Sequence, residues 1–244
     1  MISVTELKNY ARKHKLNLWQ AEKEYLLKVF LYLYYNVYDD AIFKGGTSFR
    51  FFNGLNRFSE DLDFYLKSPQ AFKEQINEVI KGYGDYGISY EIKKEEIFEN
   101  AYTLTLMFKG PLYSGRRDSM NSIRIDAGYR QGLEKEPEYL SLVSDFVDIP
   151  SCLVKTMSLE ERFAEKVSTL FDRNKGRDLY DVFFYKSIIE LDVACVKKKI
   201  HKTKLELTSE SQYNRDLKPL LSKQIPYGKV KDGVLAYLQR TSLI

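Results

Sequence analysis

A glycine pair and two hydroxyl residues stand shortly before two aspartates that alternate with apolar residues, and this combination constrains the chain more than any other feature. The turn consists of Gly45, Gly46, Thr47 and Ser48. Such a turn at the start of a helix points backbone N–H groups outward, which favours phosphate binding. The two carboxylates, Asp61 and Asp63, suit hard divalent cations because these cations prefer oxygen ligands. The stretch therefore predicts a nucleoside triphosphate bound together with magnesium.

The residues from Phe58 to Leu66 predict the clearest β-strand of the chain. Side chains alternate along a strand, so Asp61 and Asp63 share one face and the apolar residues between them share the other. Both carboxylates are therefore expected on the same side of a sheet.

A second strand, predicted over Ser122–Tyr129, carries Arg124 and Asp126 on one face. If the two strands are neighbours, Asp126 lies beside Asp61 and Asp63. Three carboxylates can hold two magnesium ions, which neutralise the leaving phosphates and activate an attacking hydroxyl. An ion pair with Arg124 at the surface is the alternative interpretation of Asp126.

Other site classes are excluded by residue type and spacing. No glycine and no bidentate glutamate follow Asp63 at the spacing of an EF-hand, and Gly46 is not followed by the lysine of a Walker A loop. Cys152 and Cys195 lie far apart and the chain has only two histidines, which argues against zinc sites, disulfide frameworks and most Ser-His-Asp triads.

Charge and hydropathy indicate a protein of the cytoplasm. The N-terminus lacks an apolar signal segment, and the run at Val29–Tyr35 is too short to span a bilayer. The formal net charge of +4 does not by itself predict nucleic-acid binding. Arg116-Arg117 and Lys197–Lys199 are candidate contacts to an RNA backbone, with simple solvation as the alternative.

The pattern of elements predicts an α+β fold, with strands and helices mixed up to about Pro150 and helices after it. The boundary is expected near Asp148–Met157, where turn signals become sparse. Ser158 and Glu161 match a capping box that starts a helix. The four- and seven-residue spacing of Arg162, Lys166 and Arg173 places these three residues along one helical face.

Two blocks of sequence carry a family resemblance. K-G-G-T-S at Lys44–Ser48, with R-F-S-E-D-L-D-F at Arg57–Phe64, resembles the DNA polymerase β-type nucleotidyltransferase superfamily. The block Leu159–Phe184, with E-K-x-x-x-L-x-x-R and R-D-L-Y-D, is similar to the AbiEii/AbiGii toxins of abortive-infection and toxin–antitoxin systems. The resemblance implies a nucleotidyltransferase domain, with a mixed sheet flanked by helices, over residues 1–150. A helical bundle domain over residues 151–244 would follow.

The same resemblance implies magnesium dependence, an NTP substrate and a bacterial setting with a cognate antitoxin, usually a transcriptional regulator. Some related toxins add nucleotides to the 3′ end of tRNA. The first motif of the family matches Gly45, Gly46, Thr47, Asp61 and Asp63. Its third metal carboxylate is not aligned by the motifs, so Asp126 rests on the strand pattern alone.

The later motifs of the family match Lys166, Asp178 and Asp181. Lys166 and Arg173 can reach triphosphate oxygens across a cleft between domains, and a solvated helical face is the alternative. Asp178 either orients Lys166 or Arg173, or caps the helix that begins there. For Asp181, a structural ion pair and a role in the site both remain open.

The hypothesis that best fits these residues is a magnesium-dependent nucleotidyltransferase that transfers an NMP from an NTP to a hydroxyl, with the tRNA 3′ end as the expected acceptor. It would act as a bacterial toxin or phage-defence component. A small-molecule nucleotidyltransferase of the antibiotic-modifying kind is one alternative. A non-catalytic nucleotide-binding module is the other.

Overall fold

The computed structural model describes residues 1–128, 132–202 and 204–244 and divides the chain into two compact units. The first unit comprises Met1–Gly54, Phe58–Gly132 and Pro137–Thr156. The second comprises Leu55–Arg57, Leu133–Glu136 and Met157–Ile244. Among the described residues, no helix combines the length and the hydropathy that a bilayer span requires.

A mixed β-sheet forms the centre of the first unit. Its strands are β1 (Ile42–Lys44), β2 (Asp61–Tyr65), β3 (Ser89–Phe98), β4 (Ala101–Lys109), β5 (Asn121–Gly128), β6 (Glu138–Leu142) and β7 (Cys152–Thr156). The order across the sheet is β3-β4-β5-β2-β1-β7-β6. The β2–β5 and β1–β7 pairs are parallel and the other pairs are antiparallel. The predicted neighbourhood of the two aspartate-bearing strands is therefore confirmed.

Both aspartate-bearing strands predicted from the sequence are present, with shifted starts. The strand predicted over Phe58–Leu66 begins at Asp61, because the preceding residues are extended without pairing in the sheet. The predicted end of the other aspartate strand, Tyr129, lies outside the described residues. β6 and β7 were not predicted, since β6 is a short edge strand of mixed polarity and both strands leave exposed residues such as Tyr139 and Leu153.

Four α-helices are described in the first unit. They are α1 (Val4–His14), α2 (Leu18–Tyr35), α3 (Gly45–Phe52) and α4 (Pro69–Val79). Ser3 and Asn17 cap α1 and α2 in reciprocal capping boxes, and Ser68 caps α4 ahead of Pro69 at its first turn. The core contains much of α2 and the inward face of the sheet, including Leu62 and Ile125.

The second unit is helical over most of its length. Its helices are α5 (Leu159–Asp172), α6 (Gly176–Tyr185), α7 (Val193–Lys199), α8 (Glu210–Leu217) and α9 (Tyr227–Arg240). Ser158 caps α5 as predicted, by accepting a hydrogen bond from the N–H of Glu161. The prediction of a complete capping box is wrong. The Glu161 carboxylate does not accept from the N–H of Ser158 but from the N–H groups of Glu134 and Lys135.

Ile125 lies on the buried face of β5, in the middle of the sheet, and has no exposed surface. We expect Ile125→Ala to lower the free energy of unfolding by about 2–5 kcal/mol, because it removes buried methyl groups and leaves a cavity. Ile92→Ala on the edge strand β3 is the matched control, since Ile92 is 50% exposed. Urea unfolding measures both, and equal losses would contradict the described sheet.

Candidate functional site

The two aspartates of β2 lie on one face of the sheet. Asp61 and Asp63 are partly exposed, whereas Leu62 and Phe64 are buried on the opposite face. The apolar side chains anchor the strand in the core and thereby fix the direction in which both carboxylates point. The alternation predicted from the sequence is confirmed.

Asp126 on β5 lies directly across from Asp63, and Arg124 lies across from Asp61. Neighbouring strands are about 4.8 Å apart, so the three aspartates occupy adjacent positions on one sheet face. The Asp126 carboxylate accepts hydrogen bonds from Thr103 Oγ1 and from Arg124 Nη2, each at 2.9 Å. Asp126 thus has both features that the sequence suggested. It lies beside the other two aspartates, and it forms an ion pair with Arg124.

Carboxylate oxygens are the donors that a hard divalent cation prefers, so Asp61 and Asp63 have suitable chemistry for magnesium. Within the described ranges, however, no three His, Cys, Asp or Glu side chains converge closely enough to form a metal site. The Asp126 carboxylate instead forms an ion pair with Arg124 Nε at 2.9 Å. The residues fit a cation at the β2 pair, with Asp126 within reach only if it exchanges its present partners.

The glycine turn packs directly against one of these carboxylates. Gly45 has a φ of +78°, and a Cβ atom at this position would lie 2.1 Å from Asp63 Oδ2. Only glycine accommodates both the backbone angle and this approach. Lys44 pairs with Asp63 in the antiparallel β1–β2 register, so the β1–α3 junction is held beside the aspartate strand.

The hydroxyl groups of the turn make internal hydrogen bonds. Thr47 is fully buried, and its hydroxyl donates to the carbonyl of Asp61 and lies 3.0 Å from Ser59 Oγ. Ser48 donates to the carbonyl of Gly45 at 3.1 Å. These bonds tie α3 to β2 and fix the first turn of the helix, where Lys44 at the N-cap makes no side-chain capping bond. Phosphate binding by the Gly45–Ser48 turn stays a prediction.

A buried lysine near the aspartates was missed by the sequence interpretation. Lys23 on α2 is 4% exposed, its Nζ lies 3.4 Å from Glu60 Oε2, and it also lies over the Trp19 ring. Burial lowers the pKa of Lys23, while the charges of Glu60 and Asp61 act in the opposite direction. No local motif marks this lysine, because only tertiary packing brings α2 to β2.

In the second unit, Lys166 is held between two carboxylates. Its Nζ lies 3.3 Å from Asp178 Oδ1 and 2.9 Å from Asp181 Oδ2. The alternative of a solvated helical face is wrong for Arg162 and Lys166, which are 1% and 8% exposed. Arg173 differs from both, since it follows the end of α5 and keeps about half of its side chain exposed.

Asp178 orients cations and does not cap its helix. Arg173 donates to it through Nε at 2.8 Å and through Nη2 at 3.2 Å, and the N-cap of α6 is Lys175. Burial by itself would raise the pKa of Asp178. The nearby charges of Lys166 and Arg173 outweigh that effect and lower the pKa to about 2.

Arg57 is the second residue whose role the sequence did not reveal. Its Nε and Nη2 donate to the two oxygens of Asp181 at 2.6 and 2.7 Å, and both residues are buried within the second unit. Of the two alternatives for Asp181, the structure therefore shows the ion pair. The sequence showed that Arg57 belongs to the motif R-F-S-E-D-L-D-F, but the motif does not indicate which residue Arg57 contacts.

The two basic groups considered for RNA contacts differ in exposure. Lys199 is buried and its Nζ forms an ion pair with Glu161 at 2.7 Å, so the prediction that Lys199 contacts RNA is wrong. Lys198 is exposed and pairs with Glu134, and Arg116 also lies at the surface. A cavity of about 590 Å³ in the second unit is lined by residues of both charges. The cavity is lined by Phe171, Asp172, Arg173, Asn174, His201, Lys202, Lys204 and Glu206.

Comparison with known families gives a match over most of the chain. The family described as the nucleotidyl transferase AbiEii toxin of type IV toxin–antitoxin systems matches residues 34–227. Comparison with curated protein sequences gives no significant match.

Solved structures share the fold. MenT4, a nucleotidyltransferase toxin from Mycobacterium tuberculosis H37Rv, is similar with a TM-score of 0.70 and 18% identity, covering 97% of this chain and 88% of its own. JHP933 from Helicobacter pylori has a TM-score of 0.58 and 19% identity, with 90% of each chain covered. At these identities the similarity establishes the α+β fold alone.

Gly45→Ala tests the contact between the turn and the aspartate strand. Gly54→Ala is a matched control, because Gly54 has a φ of +66° but a Cβ atom at that position would meet no atom within 4 Å. We expect the control to lose about 1 kcal/mol from backbone strain alone. Gly45→Ala should lose clearly more, since Asp63 Cβ would itself lie 2.8 Å away and rotation of the carboxylate cannot relieve the clash. Equal losses in urea unfolding would contradict the described approach.

The lowered pKa of Asp178 predicts a pH dependence of stability. A carboxyl group with a depressed folded-state pKa stabilises the fold above its ordinary value of 3.8, and this contribution is lost as pH falls toward about 2. The difference in unfolding free energy between the wild type and Asp178→Asn should therefore be largest above pH 4 and shrink below it. Urea titrations across this range measure the difference, and one that is constant with pH would refute the assignment.

Proposed function

This chain is a member of the AbiEii family of nucleotidyltransferase toxins of type IV toxin–antitoxin systems, and from that premise we propose that it transfers an NMP from an NTP to a hydroxyl of RNA and releases pyrophosphate in a magnesium-dependent reaction. Family membership implies the nucleotidyltransferase activity, the NTP substrate and an antitoxin partner. The metal, the acceptor and the role of each residue are our proposal.

The observation that carries this proposal is the packing of Gly45 against Asp63. It brings the start of α3, which suits phosphate, to the strand whose carboxylates suit a cation. Asp61 and Asp63 would hold magnesium. When bound, magnesium would neutralise charge on the triphosphate and favour ionisation of the attacking hydroxyl.

The remaining first-unit roles follow from position. The backbone N–H groups of the turn would bind phosphate oxygens, and the turn comprises Gly45, Gly46, Thr47 and Ser48. Asp126, at the register of Asp63, would complete the carboxylate set for two ions and take the proton of the attacking hydroxyl. To do so, Asp126 would exchange its present ion pair with Arg124, which lies on the same sheet face.

In the second unit we assign phosphate binding to Lys166 and Arg173. Cations that contact phosphate oxygens make charge-assisted hydrogen bonds, and both side chains are oriented here by one carboxylate. Asp178 accepts from Lys166 Nζ and from Arg173 Nε, so it fixes the spacing of the two cationic groups. Its role is to position them and to remain charged while it does so.

An RNA acceptor is supported by the polar cavity beside Arg173. Its lining has three basic residues (Arg173, Lys202 and Lys204) and two acidic ones (Asp172 and Glu206), and Lys202 donates to the carbonyl of Asp172 at 2.8 Å. Basic side chains at an open cavity favour a polyanion over a small neutral acceptor. We propose the 3′ end of tRNA as the acceptor, a cytoplasmic location and a role in phage defence.

We also propose a division of labour along the chain. Residues 1–150 and the adjoining strand β7 (Cys152–Thr156) would form the nucleotidyltransferase domain, and the helices that follow would form a helical bundle domain that contributes the phosphate-binding cations. The sheet that carries the aspartates and helix α5, which carries Lys166, support this division.

Incubation with each labelled NTP, magnesium and total RNA should transfer label to RNA. Asp63→Ala should reduce the rate at least about 100-fold, because a metal ligand supplies several kcal/mol of charge stabilisation. Asp118→Ala is the control, since Asp118 is an exposed aspartate that pairs only with Arg116 among the contacts described.

Three outcomes decide the proposal. Label on RNA that is lost with Asp63→Ala and kept with Asp118→Ala supports it. Label that persists in both Asp61→Ala and Asp63→Ala overturns the metal assignment. In a parallel reaction with an aminoglycoside added, label on the aminoglycoside and none on RNA overturns the acceptor and favours a small-molecule nucleotidyltransferase.

A further inference from the structure

The pair between Arg57 and Asp181 has a geometry that a simple charge contact does not require. Two parallel N–H···O bonds, at 2.6 and 2.7 Å, join the guanidinium to both carboxylate oxygens. Such a fork fixes the plane of the carboxylate as well as its distance. Arg57 is 3% exposed and Asp181 has no exposed surface, so solvent does not compete for these bonds.

One oxygen of Asp181 serves two cations. Oδ2 accepts from Arg57 Nη2 and also lies 2.9 Å from Lys166 Nζ. Because the guanidinium fixes the carboxylate plane, it also fixes the direction in which Oδ2 meets the ammonium. The position of Lys166 Nζ is thus set from two sides, by Asp178 at 3.3 Å and by Asp181 through Arg57.

The two carboxylates that contact Lys166 differ in their second cationic partner. Asp178 is shared with Arg173, whose side chain is about half exposed. Asp181 is shared with Arg57, which is buried. The Arg57 side is therefore the more rigid of the two anchors, because a buried bidentate pair has fewer alternative arrangements than one that borders solvent.

We propose that Arg57 is a positioning residue for the phosphate-binding ammonium of Lys166 and that it acts through Asp181. This inference rests on the proposed function, in which Lys166 contacts the triphosphate. Arg57 itself touches no substrate in this account. Its effect on nucleotide binding passes entirely through the Asp181 carboxylate and the lysine beyond it.

Arginine is required here for its shape as well as its charge. A lysine at position 57 would keep one positive charge but provide a single point donor, so Asp181 could rotate about its remaining bond. A displacement of about 1 Å at a group that contacts the reacting phosphates costs up to roughly 100-fold in rate. Arg57→Lys thus separates positioning from charge balance.

The test is a double-mutant cycle on the full chain with Arg57→Lys, Lys166→Ala and the double variant. Calorimetry gives the dissociation constant of each NTP, and RNA labelling gives kcat. We expect Arg57→Lys to raise the dissociation constant or lower kcat by roughly 10- to 100-fold. In the Lys166→Ala background the same substitution should have no further effect. Arg215→Lys, an exposed arginine on α8, is the control and should match the wild type.

The outcomes separate this inference from the proposed function. If the fold-changes in dissociation constant or kcat of the two single variants multiply in the double variant, the positioning role is overturned, since Arg57 would then act independently of Lys166. An Arg57→Lys variant that fails to fold also overturns it, because the pair would then serve the fold. If the wild type binds NTP but labels no acceptor, the proposed function fails, while the binding cycle still decides the role of Arg57.

Discussion

The close approach of the Gly45 backbone to the Asp63 carboxylate is the constraint on which the first unit depends. It links two motifs that are separate in sequence, because any side chain at position 45 would displace the strand that carries the aspartate. The hydroxyl of Thr47 strengthens the same junction by donating to the carbonyl of Asp61. The arrangement explains why a glycine turn and an alternating aspartate pair occur together: one fixes the geometry of the other.

The second unit differs in that it buries several charged groups. Arg57, Lys166, Asp178 and Asp181 lie almost entirely out of solvent, and each has an oppositely charged partner in the described structure. Burying such groups is costly unless each is paired and hydrogen-bonded, and the gain is positional accuracy more than stability. The pKa of Asp181 is lowered because Arg57 and Lys166 outweigh the opposing effect of its burial. A lysine held by two ionised carboxylates keeps a fixed position before any phosphate arrives.

Sequence reasoning reached the features that depend on local pattern. The alternation of Asp61 and Asp63 and the capping of α5 by Ser158 follow from the period of the strand and from capping chemistry, and both are confirmed. Contacts between residues that are distant in sequence could not be predicted. Arg57 and Asp181 are separated by more than a hundred positions, and nothing in either motif indicates that they meet. The burial of Lys166 was likewise hidden, since helical spacing cannot tell a solvated face from one covered by α6.

We propose that Asp61 and Asp63 bind the cation that accompanies the NTP. The most direct measurement is a crystal structure of the protein with manganese and a non-hydrolysable NTP, with anomalous scattering used to locate the metal. We predict a manganese peak within bonding distance of both carboxylates and of phosphate oxygens. Bound nucleotide with manganese elsewhere, or with no manganese at these aspartates, would contradict the account.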